Sequence, residues 1–200
     1  MSETNDSGLR RLVVAITGAS GPQFGIRLLE VLSDDPTVEA HLVLSDSARR
    51  TLELEAGATG AEVEELADVV YRSGDYGAAV SSGSFRTIGM VVAPCSMSTL
   101  GAIANGVSTS LVARAADVTL KERRTLVLVT RETPLNLIHL RNMVTATEAG
   151  ATVLPPAPAF YHGPETIGDL VDQTVGKVLD QFDLDHQLFR RWESPGGSAS

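Results

Sequence analysis

Four short apolar runs, each ending in a cluster of small polar residues, constrain this chain more than any other feature. Leu12 to Ile16 runs into Thr17-Gly18-Ala19-Ser20-Gly21, and His41 to Leu44 runs into Ser45. Met90 to Ala93 is followed by Pro94-Cys95-Ser96-Met97-Ser98-Thr99, and Leu126 to Val129 by Thr130-Arg131-Glu132. Continuous apolar runs of strand length read as strands buried on both faces, the kind found in parallel sheets. If they are parallel neighbours, all four clusters lie at the carboxyl edge of one sheet, where open α/β folds bind ligands. The chain then carries a small hydroxyl-rich crevice with one arginine and one carboxylate.

Helical patterns separate these strands. Pro22 suits the first turn of a helix carrying Ile26, Leu28, Leu29 and Leu32, which stops near Asp34-Asp35-Pro36. Val38 to Leu44 is the second strand, Ser47 to Leu54 a short helix, Glu62 to Ala67 another, and Val69 to Tyr71 a short strand. Ser73 to Arg86, rich in Gly and Ser, is the longest irregular stretch and so a candidate functional loop. Ser96 or Ser98 caps a helix through Leu100 and Ile103, and a further helix spans about Ser108 to Leu120. Thr125 to Val129, a helix over Leu135 to Glu148, a strand at Thr152 to Leu154 and a helix over Asp169 to Phe182 complete the pattern. Alternating strands and helices predict an α/β fold, a Rossmann-like three-layer sandwich with a mostly parallel sheet. Residues 9–192 form a single domain in this reading, and 1–8 and 193–200 are flexible termini, since Ser-Pro-Gly-Gly-Ser-Ala-Ser has no face to bury.

Composition narrows the function. The 200 residues are 43% hydrophobic with a mean hydropathy of +0.08, enough for a real core, and no apolar run approaches the roughly 20 residues that cross a bilayer. Met1 to Gly8 is polar and acidic, unlike a secretory signal, so a cytoplasmic protein is expected. Sixteen basic against 25 acidic residues give a net charge of −9, which repels nucleic acid. Salt-adapted proteins are acidic too, but this charge is too modest to show it. One cysteine, Cys95, excludes an intrachain disulfide, and its apolar setting reads as a buried small residue rather than a nucleophile. No His/Cys/Asp/Glu spacing points to a metal site.

Gly18-Ala19-Ser20-Gly21 sits where a strand turns into a helix: either an ordinary tight turn or a backbone cradle for an anion. The glycines at 18, 21 and 25 fit neither GxGxxG nor the short-chain dehydrogenase TGxxxGxG. The Tyr-x-x-x-Lys pair of those dehydrogenases is missing as well. Ser96-Met97-Ser98-Thr99 is a helix cap or a second phosphate cradle. Two cradles on adjacent strand ends favour a mononucleotide lying across the crevice. Arg131 and Glu132 are either a surface ion pair or part of that site. Tyr161 and His162 follow the last strand and should share the same edge. Glu55 and Lys177, taken alone, are ordinary exposed helix charges, and His41 inside its strand reads as a packed residue. Lys121-Glu122-Arg123-Arg124 is a charged helix end. That helix runs opposite to the strands, so a catalytic Lys121 has to act in a neighbouring subunit.

Taken in order, these segments closely resemble the UbiX-type flavin prenyltransferase family. Thr17 to Gly21, Ser82-Gly83-Ser84-Phe85 and Pro94 to Thr99 carry the resemblance in the first half. Arg114 to Val118, Lys121 to Arg124, Leu126 to Pro134, His139-Leu140, Asn142-Met143, Pro155 to Pro158, Phe160-Tyr161-His162 and Arg191-Trp192 extend it over nearly all of residues 11–192. The resemblance implies an enzyme that attaches a dimethylallyl group, from a dimethylallyl phosphate and without a metal, to N5 and C6 of reduced FMN. The product serves a UbiD-type decarboxylase, and the assembly implied is a dodecamer. FMN contacts are implied at Gly18, Ala19, Ser20, Ser45, Ser96, Met97, Ser98, Thr99 and Arg131. Prenyl phosphate contacts are implied at Lys121, Arg131, Tyr161 and Lys177, where the family often has arginine at the last. Glu132 is the implied proton-handling carboxylate, with Glu55 and Arg114 as further catalytic candidates. Thr130 stands where proline is common.

Two rivals differ in residues. The related flavin-dependent cysteine decarboxylases carry PASANT and PxMNxxMW motifs, and here Pro94 to Thr99 and Pro134-Leu135-Asn136-Leu137-Ile138 match neither. A non-enzymatic flavin carrier needs the cradles but not Lys121, Tyr161 and Lys177.

Overall fold

A computed structural model describes residues 8–192. The expectation of loose ends at 1–8 and 193–200 therefore falls, but for Gly8, outside the described residues. Six strands form one sheet: β1 (Arg10–Ile16), β2 (Val38–Leu44), β3 (Val69–Tyr71), β4 (Gly89–Cys95), β5 (Thr125–Thr130) and β6 (Thr152–Val153). Their spatial order is β3-β2-β1-β4-β5-β6 and every pairing is parallel. The chain builds outward from β1 in one direction, then returns to its other side at β4. The gap between the carboxyl ends of β1 and β4 is the topological switch point of the sheet.

Alternation along β1 explains the two cores. Leu12, Val14 and Ile16 face one side, where α1 (Gln23–Ser33) and α7 (Ile167–Asp180) supply Leu28, Leu29, Val175 and Leu179. Val13 and Ala15 face the other, against Leu100 of α4 (Met97–Ala104) and Leu111 and Ala115 of α5 (Leu111–Lys121). Both faces are covered, which is why the strands show no polar alternation. Between β2 and β3 lie the short helices α2 (Asp46–Thr51) and α3 (Gly60–Glu64), and α6 (Leu137–Glu148) precedes β6. Among the described residues no helix is long and apolar enough to cross a membrane.

Three local features refine the sequence reading. The helix expected over Ser47 to Leu54 is α2 capped by Ser45, continued by a π-helical turn over Leu52–Ala56 that ends at Gly57 in the left-handed region. The loop from Ser73 to Arg86 is pinned rather than open. Arg124 donates to the carbonyls of Phe85 (2.7 Å) and Gly83 (2.9 Å), Arg114 to that of Ser81 (3.3 Å), and Val80 is buried. The face of α6 that carries Leu137, Ile138, Leu140 and Val144 stays exposed at 59, 67, 46 and 57%. So many large aliphatic residues on one short helix mark an interaction surface.

His41 is a packed residue. It is 2% exposed, with Nε2 at 2.6 Å from Glu39 Oε1 and Nδ1 at 3.0 Å from the Tyr71 hydroxyl, and burial pulls its pKa down. Cys95 is fully buried between β1 and β5, and burial pushes its thiol up to about 12. Because thiolate is the reactive form, native protein at neutral pH should leave Cys95 unlabelled by a thiol reagent and react only after denaturation. Stoichiometric labelling of folded protein within minutes would contradict this placement.

Candidate active site

The switch point is held by one hydroxyl. Thr17, 2% exposed at the end of β1, donates its N–H (3.2 Å) and its Oγ1 proton (2.7 Å) to the Pro94 carbonyl, and Oγ1 accepts from the Ser96 N–H (2.9 Å). Gly18 follows because nothing larger fits: a Cβ there would stand 2.5 Å from Ser47 Oγ. Ser45 caps α2 by accepting from Ala48 N–H at 3.1 Å, and Ser96 caps α4 by accepting from Thr99 N–H at 3.2 Å. With those donors satisfied, the N–H groups of Met97 and Ser98 have no protein acceptor among the described residues. The same holds for the N–H groups of Gly18, Ala19 and Ser20. Two strands along the sheet, Arg131 anchors its backbone N–H on the Cys95 carbonyl (3.2 Å), while its half-buried guanidinium has no partner among the described residues. Beside it the buried Thr130 hydroxyl is unpaired as well. Unsatisfied donors gathered at one helix start with a free cation make an anion site.

Glu55 corrects the reading of the glycine turn. The π-helical turn brings its carboxylate to accept from Ser20 Oγ (3.0 Å) and Gly21 N–H (2.9 Å), so it is not an ordinary surface charge. Part of the expected first phosphate cradle is thus filled by a carboxylate of the chain itself. The α4 side carries no such carboxylate contact: the N–H groups of Met97 and Ser98 stay without a protein acceptor among the described residues. Glu132 is exposed beside Arg131, with Oε1 accepting from the Thr133 N–H at 3.0 Å. Gly18, Ala19, Ser20, Ser45, Glu55, Ser96, Met97, Ser98, Thr99, Arg131 and Glu132 therefore share the carboxyl edge.

The remaining candidates lie elsewhere in the chain. Lys121 ends α5 four residues before Thr125, which pairs with Gly89 at the amino edge of the sheet, and its ammonium contacts Glu122. Arg114 is engaged by Asp117 (2.7 Å) and the Ser81 carbonyl. Tyr161 and His162 follow β6 as expected, but the loop lays them on the C-terminal segment instead of on the crevice. The Tyr161 ring meets Trp192 edge-on at 5.7 Å, and His162 lies 6.4 Å from Phe189. Lys177 belongs with them, near the end of α7 and 3.1 Å from Asp180. The start of α7 borders a groove with Glu55 and Gln23, and Lys177 lies about 15 Å further along the helix axis at 1.5 Å per residue. One chain thus holds three separate groups: a crevice, the Lys121 end of α5, and the Tyr161–Lys177 cluster.

Sequence reasoning passed over Thr17 as a strut, although a hydroxyl directly between a buried strand and a glycine was the available signal. It also passed over Asp180. Burial opposes ionisation there, but hydrogen bonds from Arg191, Lys177 and His186 outweigh it and hold the carboxyl down at about 2.

The chain is similar to known proteins over most of its length. The flavoprotein family model matches residues 1–179. The flavin prenyltransferase UbiX of Salmonella typhimurium is 54% identical over 187 residues, covering 92% of this chain and 99% of its own. The crystal structure of AnUbiX in complex with FMN and dimethylallyl pyrophosphate superposes with a TM-score of 0.91 at 53% identity, covering 93% of this chain and 98% of that one. A dodecameric FMN-dependent UbiX-like decarboxylase from Escherichia coli superposes at 0.90 with 50% identity, covering 92% and 100%.

The Thr17 strut is testable in the free protein. Thr17→Val keeps the volume but leaves the part-buried Ser96 N–H without its acceptor, which should cost about 1–3 kcal/mol in urea unfolding, and Thr17→Ser should recover most of it. A Thr17→Val protein as stable as wild type would show that the strut carries no load.

Proposed function

The chain belongs to the UbiX-type flavin prenyltransferases of the flavoprotein family, and from this premise we propose the following roles for its residues. The protein is an enzyme that joins the dimethylallyl group of a dimethylallyl phosphate to N5 and C6 of reduced FMN, making prenylated FMN for a UbiD-type decarboxylase. It works as a homo-oligomer, a dodecamer like its E. coli relative, and the exposed apolar face of α6 fits such burial.

The observation that carries the reading is the set of unpaired donors at the switch point. The free N–H groups of Gly18, Ala19, Ser20, Met97 and Ser98, with the Arg131 guanidinium, would hold a flavin mononucleotide and its phosphate. Ser45 and Thr99 border the same crevice. No dinucleotide fingerprint asks for a second phosphate group. When bound, the reduced flavin supplies the nucleophilic atoms and a π-face that steadies developing positive charge.

The chain's own residues do the rest. Departure of an allylic phosphate calls for fixed cations around it, and Arg131, with Lys121 and Lys177 lent by neighbouring subunits, supplies them. A lysine at 177 gives a point charge rather than the two-pronged contact of arginine. Tyr161 offers a hydroxyl to the same phosphate. Glu132, held at its place by the Thr133 N–H, takes up the proton that ring closure releases. Glu55 orients Ser20 and the glycine turn. Arg114, engaged by Asp117 and Ser81, shapes the wall formed by the 73–86 loop.

The test is an anaerobic assay with reduced FMN, dimethylallyl monophosphate or diphosphate and no added metal, the product read by mass. Wild type should yield prenylated flavin. Glu132→Gln should bind FMN within a few-fold of wild type yet form product roughly 10²-fold more slowly, the scale of a lost acid–base group. No prenylated flavin from wild type with either donor would leave a flavin carrier. An unimpaired Glu132→Gln would remove Glu132 from proton transfer.

A further inference from the structure

Asp180, the last residue of α7, gathers polar side chains from both directions of the chain. Its Oδ2 accepts from Lys177 Nζ (3.1 Å) and Arg191 Nη1 (3.3 Å), and its Oδ1 from Arg191 Nη2 (2.7 Å) and His186 Nε2 (3.1 Å). The His186 side chain is only 1% exposed, and its Nδ1 accepts from the Leu188 N–H at 3.3 Å. That contact fixes the tautomer: the proton is on Nε2 and is donated to Asp180. A two-pronged arginine on a carboxylate already held by a lysine and a buried histidine is far more ordered than an isolated surface ion pair.

The segment these contacts hold lies flush on the helix. At Gly176, the residue beside Lys177, a Cβ would stand 2.4 Å from the Phe189 ring and 2.6 Å from His186, so a side chain there would push the segment away. Beyond Arg191 comes Trp192, against which Tyr161 rests at 5.7 Å. A continuous line of contacts therefore runs from Asp180 through Arg191 and Trp192 to Tyr161, and a direct one runs to Lys177. The ammonium of Lys177 has three protons and Asp180 takes one. The carboxylate thus aims this cation while leaving two donors for an incoming anion.

We propose that Asp180 is a positioning residue of the reaction: by holding Lys177 and Arg191 together it fixes the C-terminal segment on α7 and presents Tyr161 and Lys177 as one site for the phosphate of the prenyl donor. The inference rests on the reading that Tyr161 and Lys177 receive that phosphate. Asp180 itself does not touch the substrate.

The experiment is steady-state kinetics of the full chain with reduced FMN and dimethylallyl monophosphate, with FMN affinity measured separately. Asp180→Asn, which keeps the shape and removes the charge, should raise KM for the prenyl phosphate about tenfold, move kcat less than about threefold and leave FMN affinity unchanged. Asp180→Glu should restore part of the loss. Gly176→Ala, which displaces the segment without altering any charge, should raise KM in the same way and serves if Asp180→Asn does not fold. Lys177→Ala calibrates the premise and should raise KM as well. If Lys177→Ala raises KM while Asp180→Asn or Gly176→Ala leaves it at the wild-type value, the positioning role is overturned and the phosphate reading stands. If Lys177→Ala leaves KM unchanged, the phosphate reading falls and this inference with it. A loss of kcat and FMN affinity together, with KM unmoved, would make Asp180 a structural residue only.

Discussion

The Thr17 hydroxyl ties the end of β1 to the Pro94 carbonyl and the Ser96 N–H on the far side of the switch point, and the crevice depends on that bridge. A parallel sheet leaves its strand ends unpaired, and at the switch point the two neighbouring loops diverge to opposite faces. Thr17 closes the base of that gap with its own donors and acceptor, inside the core where each such bond counts most. With the base closed, the N–H groups of Gly18, Ala19, Ser20, Met97 and Ser98 are left without a protein acceptor among the described residues. The glycine turn, the start of α4 and Arg131 become one surface rather than three loop ends.

What the crevice lacks is equally informative. Among the described residues it holds one unpaired cation, and a carboxylate at each side. Expelling an allylic phosphate needs more positive charge than Arg131 alone, and the other lysines of interest are carried away from it by the helices that bear them. Lys121 ends a helix that runs back to the amino edge, and Lys177 sits near the end of another. For α5 this is a consequence of the crossover, which returns the chain to the start of β5. Helix α7 follows the last strand but likewise starts beside Gln23 and Glu55 and runs away from them. Only a second copy can bring such a residue to the crevice. The exposed aliphatic face of α6 is the kind of surface through which copies meet.

Much of this was legible in the sequence where local chemistry decides the structure. Val38–Leu44 and Val69–Tyr71 lie where their apolar runs put them, and Ser96 caps α4 as its hydroxyl and the following apolar positions require. The positions of Arg131 and Glu132 followed from strand direction alone. Other features depend on partners far away in sequence. The wider turn at Leu52–Ala56 has no propensity signature, so the carboxylate of Glu55 at the glycine turn could not be read from residues near 55. The Asp180–Arg191 contact needs the tail to fold back over Gly176, and Tyr161 lies away from the crevice because its loop follows that tail. Thr130, which stands where proline is common, has a buried hydroxyl with no partner among the described residues, and nothing in the neighbouring sequence signals that.

The central claim is that the working site is completed between copies of the chain, and a mixing experiment tests it most directly. Lys121→Ala removes the cation that a chain lends, and Ser20→Arg blocks the crevice that it owns; each protein alone should be inactive. In oligomers assembled from both, an intact crevice on one chain can meet an intact Lys121 from the other, so prenylated flavin should form again. Verified mixed oligomers that make none would contradict a site shared between subunits.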